Sequence, residues 1–261
     1  MCDEMRYQGY LIDLDGTIYR GKEKIPSAVK FIKDLFENHL KFRLVTNNTT
    51  RTPEAIVDFL HVYHQIDVEL SNIYTASKAT AEYIARNKTV TCPHVYVIGE
   101  NGLKTELANY GFIYDELDPD YVVVGLDSDV TYHKLEIAAL AIEKGAIFIG
   151  TNPDRAIPKE VGLVPSAGAL IGLLQIATKV DPVIIGKPQT IMLDLISEDL
   201  NVAKENLVLF GDNYDTDILG GINFGIDTAL VLTGVTKRED LKSVDKLPKF
   251  ILDSLEEWHF A

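Results

Sequence analysis

The chain has 261 residues, 46% of them hydrophobic, and a formal net charge of −14 at pH 7. That length permits one large domain or two moderate ones with a sizeable core, and the acidic surface lacks the basic footprint that nonspecific nucleic-acid binding or an anionic membrane needs. Two cysteines without ligand spacing (Cys2 and Cys92), an acidic start (Met1-Cys2-Asp3-Glu4) without an apolar signal core, and no apolar run of spanning length point to a reducing cytoplasm.

The first predicted strand, Tyr7 to Asp13, breaks into Asp13-Leu14-Asp15-Gly16-Thr17. Strand alternation would put Asp13 and Asp15 on one face, where two carboxylates repel and are costly to desolvate unless a cation compensates. A helix opens at Pro26, with Val29, Ile32, Leu35 and Phe36 at helical spacing. Lys41 to Val45 forms a second strand running into Thr46-Asn47-Asn48, and Thr52-Pro53-Glu54 starts the next helix.

From Ser77 the α/β units shorten. Helices are predicted at 77–85, up to Tyr110, at 133–144 and from Gly168 to Thr178; strands at 95–98, 121–125 and 146–149, with a Pro- and Gly-rich loop from Thr151 to Gly168. Longer units resume with Pro182 to Ile185, read as a strand ending at Gly186-Lys187-Pro188. A helix follows over 190–200, then the strand Leu207 to Phe210 ending in Gly211-Asp212, with Asp217 on the helix behind it. A further strand spans Thr228 to Leu232. Alternating strands and helices imply a Rossmann-like, doubly wound parallel sheet, in which ligands sit beyond the carboxyl ends of the strands.

Those strand ends carry Asp13 and Asp15, then Thr46-Asn47-Asn48, then Lys187, then Asp212 and Asp217. Carboxylates without histidine or cysteine suit a hard cation, Mg²⁺ above all, with Asp13 and Asp212 as ligands and Asp217 reaching through water. Thr46 and the N–H groups after it can hold phosphate oxygens, and Lys187 can neutralise a transferring phosphoryl group. A carboxylate can attack phosphorus while a second acid protonates the leaving oxygen and later deprotonates water, which makes Asp13 the nucleophile and Asp15 the general acid/base.

On these four segments, in this order, the chain resembles the haloacid-dehalogenase superfamily of phosphohydrolases. Thr46-Asn47-Asn48, Thr151-Asn152-Pro153-Asp154 and Gly186-Lys187-Pro188 make it similar to the NagD-like, p-nitrophenylphosphatase-type branch. The resemblance implies an α/β cap inserted between the second and third motifs. It implies Mg²⁺ on the Asp13 side chain, the Asp15 backbone carbonyl and Asp212, with Asp217 supporting. It also implies phosphate contacts from Thr46, Asn47, Lys187 and the Asn48 N–H. Dehalogenase members lack the second acid, so Asp15 argues for phosphate-ester hydrolysis.

The expected division is a core of 1–77 and 182–261 with a cap of 78–181. In the branch the cap loop selects the leaving group, which makes Asn152, Asp154 and Arg155 the substrate-contact candidates; as plain residues, a loop of this kind is equally a connector. Ile157 stands where relatives acting on pyridoxal phosphate carry a histidine, which counts against that substrate. The six histidines show no ligand spacing and are assigned to the surface or to helix faces, Trp258 to a C-terminal packing anchor, and Asp215 is left out of the ligand set.

The expected activity is hydrolysis of small phosphate monoesters: sugar or acid-sugar phosphates, or nucleotide monophosphates. The alternatives are a phosphotransferase or phosphomutase, a phospho-acceptor signalling receiver and a silent metal-binding scaffold. Cap-mediated homodimers occur in the branch, although the sequence carries no interface signature of its own.

Overall fold

The computed structural model describes residues 7–159 and 161–260, so Cys2 and the acidic N-terminal residues lie outside the described part. The chain divides into two compact units. One comprises Met1–Thr46, Glu54–Tyr74 and Lys187–Ala261, the other Asn47–Pro53 and Thr75–Gly186. The sequence texture draws the boundaries at 77/78 and 181/182, whereas the contacts carry the second unit to Gly186 and include residues 47–53 in it.

In chain order the elements begin with β1 (Gly9–Asp13), the short hairpin strands β2 (Tyr19–Arg20) and β3 (Glu23–Lys24), α1 (Pro26–Glu37), β4 (Lys41–Thr46), α2 (Pro53–Phe59) and β5 (Ile73–Thr75). Then come α3 (Ala76–Asn87), β6 (His94–Ile98), α4 (Asn101–Asn109), β7 (Ile113–Tyr114), β8 (Tyr121–Val124), α5 (Tyr132–Glu143) and β9 (Ile147–Gly150). They continue with β10 (Ala156–Lys159), β11 (Gly162–Pro165), α6 (Ala167–Thr178), β12 (Val183–Ile184), α7 (Ile191–Leu200), β13 (Leu207–Gly211), α8 (Leu219–Phe224), β14 (Asp227–Val231) and β15 (Phe250–Leu252). No helix among the described residues is long and apolar enough to cross a membrane.

The first unit is built on a six-stranded sheet of order β15-β14-β13-β1-β4-β5. The pairs β15/β14, β14/β13, β13/β1 and β1/β4 are parallel. Leu207-Val208-Leu209-Phe210-Gly211 is buried at every position, the signature of a parallel strand covered on both faces. Register aligns Ile12 with Phe210 and Asp13 with Val45. Thr46 and Asp212 therefore leave their strands at the edge where Asp13 ends its own.

The second unit carries a five-stranded sheet of order β12-β9-β8-β6-β7 and a separate antiparallel hairpin, β10/β11. The hairpin lies in the stretch expected to be an irregular loop; Pro158 within β10 and Gly162 at the start of β11 disguise the strands in the sequence. One expectation is overturned. The apolar run before Lys187 is not a core strand: β12 is two residues long and pairs with β9, so Lys187 leaves a strand of the second sheet.

Trp258 meets expectation as an anchor. Its ring lies 4.8 Å from Phe210, 5.1 Å from Phe250 and 5.9 Å from Tyr7, centroid to centroid. This ties the last residues to the central strand of the first sheet. Replacing this half-buried ring by alanine should destabilise the protein by about 2–3 kcal/mol, read as a lower urea midpoint; a shift below about 0.5 kcal/mol, the size expected of a surface change, would show that the tail does not staple the sheet.

Candidate active site

β1 and β13 end side by side, and their first polar residues face a lysine arriving from another segment. Lys187 Nζ donates to Asp13 Oδ1 at 2.7 Å, to Asp217 Oδ1 at 2.7 Å and to the Val45 carbonyl at 3.3 Å. Lys187, Asp212 and Asp217 are each 1% exposed. Burial alone would lower the lysine pKa, but the two carboxylates outweigh it and hold the ammonium above its ordinary range.

The acids are the strained partners. Burial, then the charge of Asp217, pushes the Asp13 pKa well above the usual carboxylate range, with Lys187 pulling it back. Burial and Asp217 raise Asp212 to about 7, against the Val235 N–H and Lys187. Carboxylate oxygens of Asp13, Asp212 and Asp217 lie within 4.8 Å of one another. Three acids facing one lysine leave an excess of negative charge, and the donors are oxygen only. Both facts fit a hard divalent cation.

Glycines make room for this cluster. An added Cβ at Gly16, whose φ is +96°, would lie 2.3 Å from Asp212 Oδ2, and one at Gly211 would lie 2.2 Å from the Asp217 Cβ. The segment after β14 completes the cradle: the Val235 N–H donates to Asp212 Oδ2 at 2.7 Å, the Thr236 N–H to the Asp212 carbonyl at 3.0 Å, and the Thr233 hydroxyl to the Gly16 carbonyl at 2.6 Å. Thr233, Gly234, Val235 and Thr236 are absent from the sequence reading. The signal was present, since they follow the apolar run of β14 as the other site segments follow theirs.

Asp15 stands apart. β1 ends at Asp13, so strand alternation does not extend to Asp15, and the expected shared face is not formed. Its carboxylate is exposed and accepts from the Gly21 N–H at 3.4 Å. Asp215 is likewise exposed and outside the carboxylate cluster. Asp217 sits in a π-helical turn, Tyr214–Ile218, and accepts from the Asn213 N–H at 3.2 Å as well as from Lys187.

The second unit brings together another predicted set. Asn47 Nδ2 donates to both Asp154 oxygens, at 3.2 and 3.3 Å, and Asn152 Nδ2 donates to the Asn47 carbonyl at 2.8 Å. Asn48 Oδ1 accepts from the N–H and hydroxyl of Thr50, both at 2.8 Å. Thr46 is buried at the end of β4, while Asn48 and Arg155 are exposed. One histidine departs from expectation: His64 is 1% exposed, packed among aromatic rings.

Residues 10–113 match the family model described as haloacid dehalogenase-like hydrolase, and 184–258 match one described as HAD-hydrolase-like. The chain is 44% identical over 252 residues to the 5'-nucleotidase YutF of Bacillus subtilis, covering 97% of each chain. It is 44% identical over 250 residues to an acid sugar phosphatase of Staphylococcus haemolyticus, covering 95% of this chain and 94% of that one. A mutant thermostable NPPase from Geobacillus stearothermophilus superposes with a TM-score of 0.91 at 42% identity, covering 98% of this chain and all of the other. NagD from E. coli superposes with a TM-score of 0.92 at 30% identity over the same shares.

The chain belongs to the haloacid dehalogenase-like hydrolases. Within them it falls in the NagD-like branch and is a phosphoric monoester hydrolase acting on small phosphorylated substrates. The receiver and silent-scaffold alternatives give way to this class.

The glycine cradle generates a test. A Cβ on Gly234 would lie 1.8 Å from Asp212 Oδ2, so Gly234→Ala must displace that carboxylate. Phosphatase activity should fall about 10²-fold with an unchanged circular dichroism spectrum; full activity would show that the position of Asp212 is unimportant.

Proposed function

We propose that the protein is a Mg²⁺-dependent phosphatase of small phosphorylated metabolites, sugar or acid-sugar phosphates and nucleoside monophosphates, working through an aspartyl phosphate. The observation that carries this reading is the separation of the first two acids: Asp13 is drawn into the Lys187–Asp217 cluster at 2.7 Å from the ammonium, and Asp15 is left outside it. Two carboxylates in such different environments suit two different tasks.

Asp13 is the nucleophile. Attack needs its ionised form, and Lys187 favours that form while Asp217 holds the lysine from its other side. Asp13, Asp212 and the Asp15 carbonyl, with Asp217 in support, would hold the metal, which supplies positive charge against the phosphoryl oxygens. As the bond from an Asp13 oxygen to phosphorus forms, the bond to the leaving oxygen breaks. Asp15 gives that oxygen its proton. Asp15, now a carboxylate, takes a proton from water as the water oxygen bonds to phosphorus, releasing inorganic phosphate and restoring Asp13.

Thr46, Asn47, the Asn48 N–H and Lys187 are assigned to the phosphate group. Asn152, Asp154 and Arg155 are assigned to the leaving group. Arg155 offers an exposed guanidinium on an otherwise acidic protein, which suits a substrate with a second anionic group such as a sugar carboxylate. The names of the relatives, a nucleotidase and an acid sugar phosphatase, support both substrate classes.

Asp13→Asn should abolish phosphate release from p-nitrophenyl phosphate and from sugar phosphates, and rapid acid quench with labelled substrate should find no phosphoprotein; near-wild-type turnover would sink the nucleophile assignment. Chelation of divalent ions should silence the wild-type enzyme, and Mg²⁺ should restore it. Activity that survives exhaustive chelation would exclude the metal. Faster transfer to a sugar acceptor than to water would replace hydrolysis with phosphotransfer.

A further inference from the structure

His64 is a buried polar side chain that the aspartate chemistry does not use. It closes a π-helical turn, Leu60–His64, and Gln65 after it takes a left-handed conformation with φ of 60°. The ring is 1% exposed, and neither nitrogen makes a hydrogen bond of normal geometry. Burial holds its pKa below the ordinary value, against the pull of the Gly21 backbone and the charge of Asp15. An imidazole without a well-formed hydrogen bond inside a protein is destabilising, and an apolar side chain would fill the volume without that loss.

What the ring touches is the turn that carries Asp15. His64 stacks on Tyr19, centroids 4.8 Å apart and planes at 17°, with Phe59 edge-on to both rings at 5.0 and 5.2 Å. Lys22 at the tip of the β2/β3 hairpin sits 5.2 Å from the centre of the Tyr63 ring in the same π-helical turn. Tyr19 in turn fixes the backbone on either side of Asp15. Its carbonyl accepts from the Gly16 N–H at 2.6 Å, its N–H donates to the Leu14 carbonyl at 3.2 Å, and Asp15 and Tyr19 form a β-bridge. Gly21, two residues on, supplies the N–H that meets the Asp15 carboxylate.

We propose that His64 is a positioning residue for proton transfer: stacked on Tyr19, it holds the 14–21 turn so that the Asp15 carboxyl stays where the leaving oxygen needs it. The inference rests on the assignment of Asp15 as general acid. A loosened Asp15 weakens the later activation of water equally for every substrate, but in the first step, transfer to Asp13, it matters only where the leaving group must be protonated. An alkoxide leaving from a sugar phosphate needs that proton, whereas p-nitrophenolate is stable without it. General acid catalysis of this kind is worth about 10²–10⁴-fold, and partial misplacement should forfeit part of it.

The test compares kcat/KM, which reports transfer to Asp13 and not the later hydrolysis shared by both substrates, on a sugar phosphate and on p-nitrophenyl phosphate for the Mg²⁺-loaded full chain. His64→Ala should lose about 10- to 10²-fold in kcat/KM on the sugar phosphate and less than about 3-fold on p-nitrophenyl phosphate. His64→Phe, which keeps a stacking ring, should recover most of the loss. Tyr19→Leu, removing the other half of the stack, should reproduce the selectivity and remains informative if His64→Ala does not fold. Equal loss on both substrates, or none, overturns the proposal. Asp15→Asn measured alongside separates the two readings. If it is selective for the poor leaving group and the His64 and Tyr19 variants are not, only the His64 role fails; if Asp15→Asn is itself unselective, the general-acid assignment fails and the His64 role falls with it.

Discussion

A buried ammonium between two carboxylates is the constraint on which the site depends. Lys187 has almost no contact with solvent, and opposite charge on two sides keeps it ionised there. Removing one member of such an arrangement strands the others, at a loss of about 3–5 kcal/mol for a broken buried pair. The same interaction ties distant stretches of chain to one point, since Asp13 ends β1, Lys187 follows β12 and Asp217 follows β13. The charges do not balance. The raised pKa values of Asp13 and Asp212 express an electrostatic debt in the protein alone, and a cation is what such a site is shaped to attract.

Close approach of backbone to carboxylate is the second requirement. Asp212 is enclosed by Gly16 and Gly234 and by the N–H groups of Val235 and Thr236. These contacts come from three separate strand ends of one parallel sheet, so the sheet register is also the register of the acids. The two π-helical turns among the described residues of the first unit each carry a polar residue inward, Asp217 in one and His64 in the other. Such segments recur at functional sites.

Much of this was legible in the sequence because parallel strands announce themselves as continuous apolar runs, and because chemistry gathers where those runs stop. That logic singled out Asp13, Lys187, Asp212 and Asp217, which the structure brings into one cluster, and Thr46, which ends β4. It erred on the run before Lys187, since the apolar stretch 183–185 is equally suited to either sheet and only pairing decides. It missed the cradle at 233–236, whose contribution is chiefly backbone and a small hydroxyl, groups that carry no distinctive side-chain signature. His64 was misplaced because the histidines were judged by ligand spacing alone, whereas it follows buried Ile56 and Leu60 at four-residue intervals and is buried with them in the core. The β10/β11 hairpin escaped notice because the Pro and Gly within its short strands also mark irregular loops.

The pairing of β1 with β13 has a consequence for how the protein is made. Gly9 meets Leu207, so the central strand of the first sheet takes its neighbour from roughly 200 residues downstream. At ordinary synthesis rates that interval lasts about 10–40 s. Throughout it the emerging chain can dock β4 on one side of β1 while the other edge stays open, an apolar strand with unpaired backbone groups. Asp13 meanwhile has neither its lysine nor its partner acids. The acid cluster cannot assemble until β13 and Asp217 have emerged, and the nascent chain must keep an adhesive edge out of trouble until then.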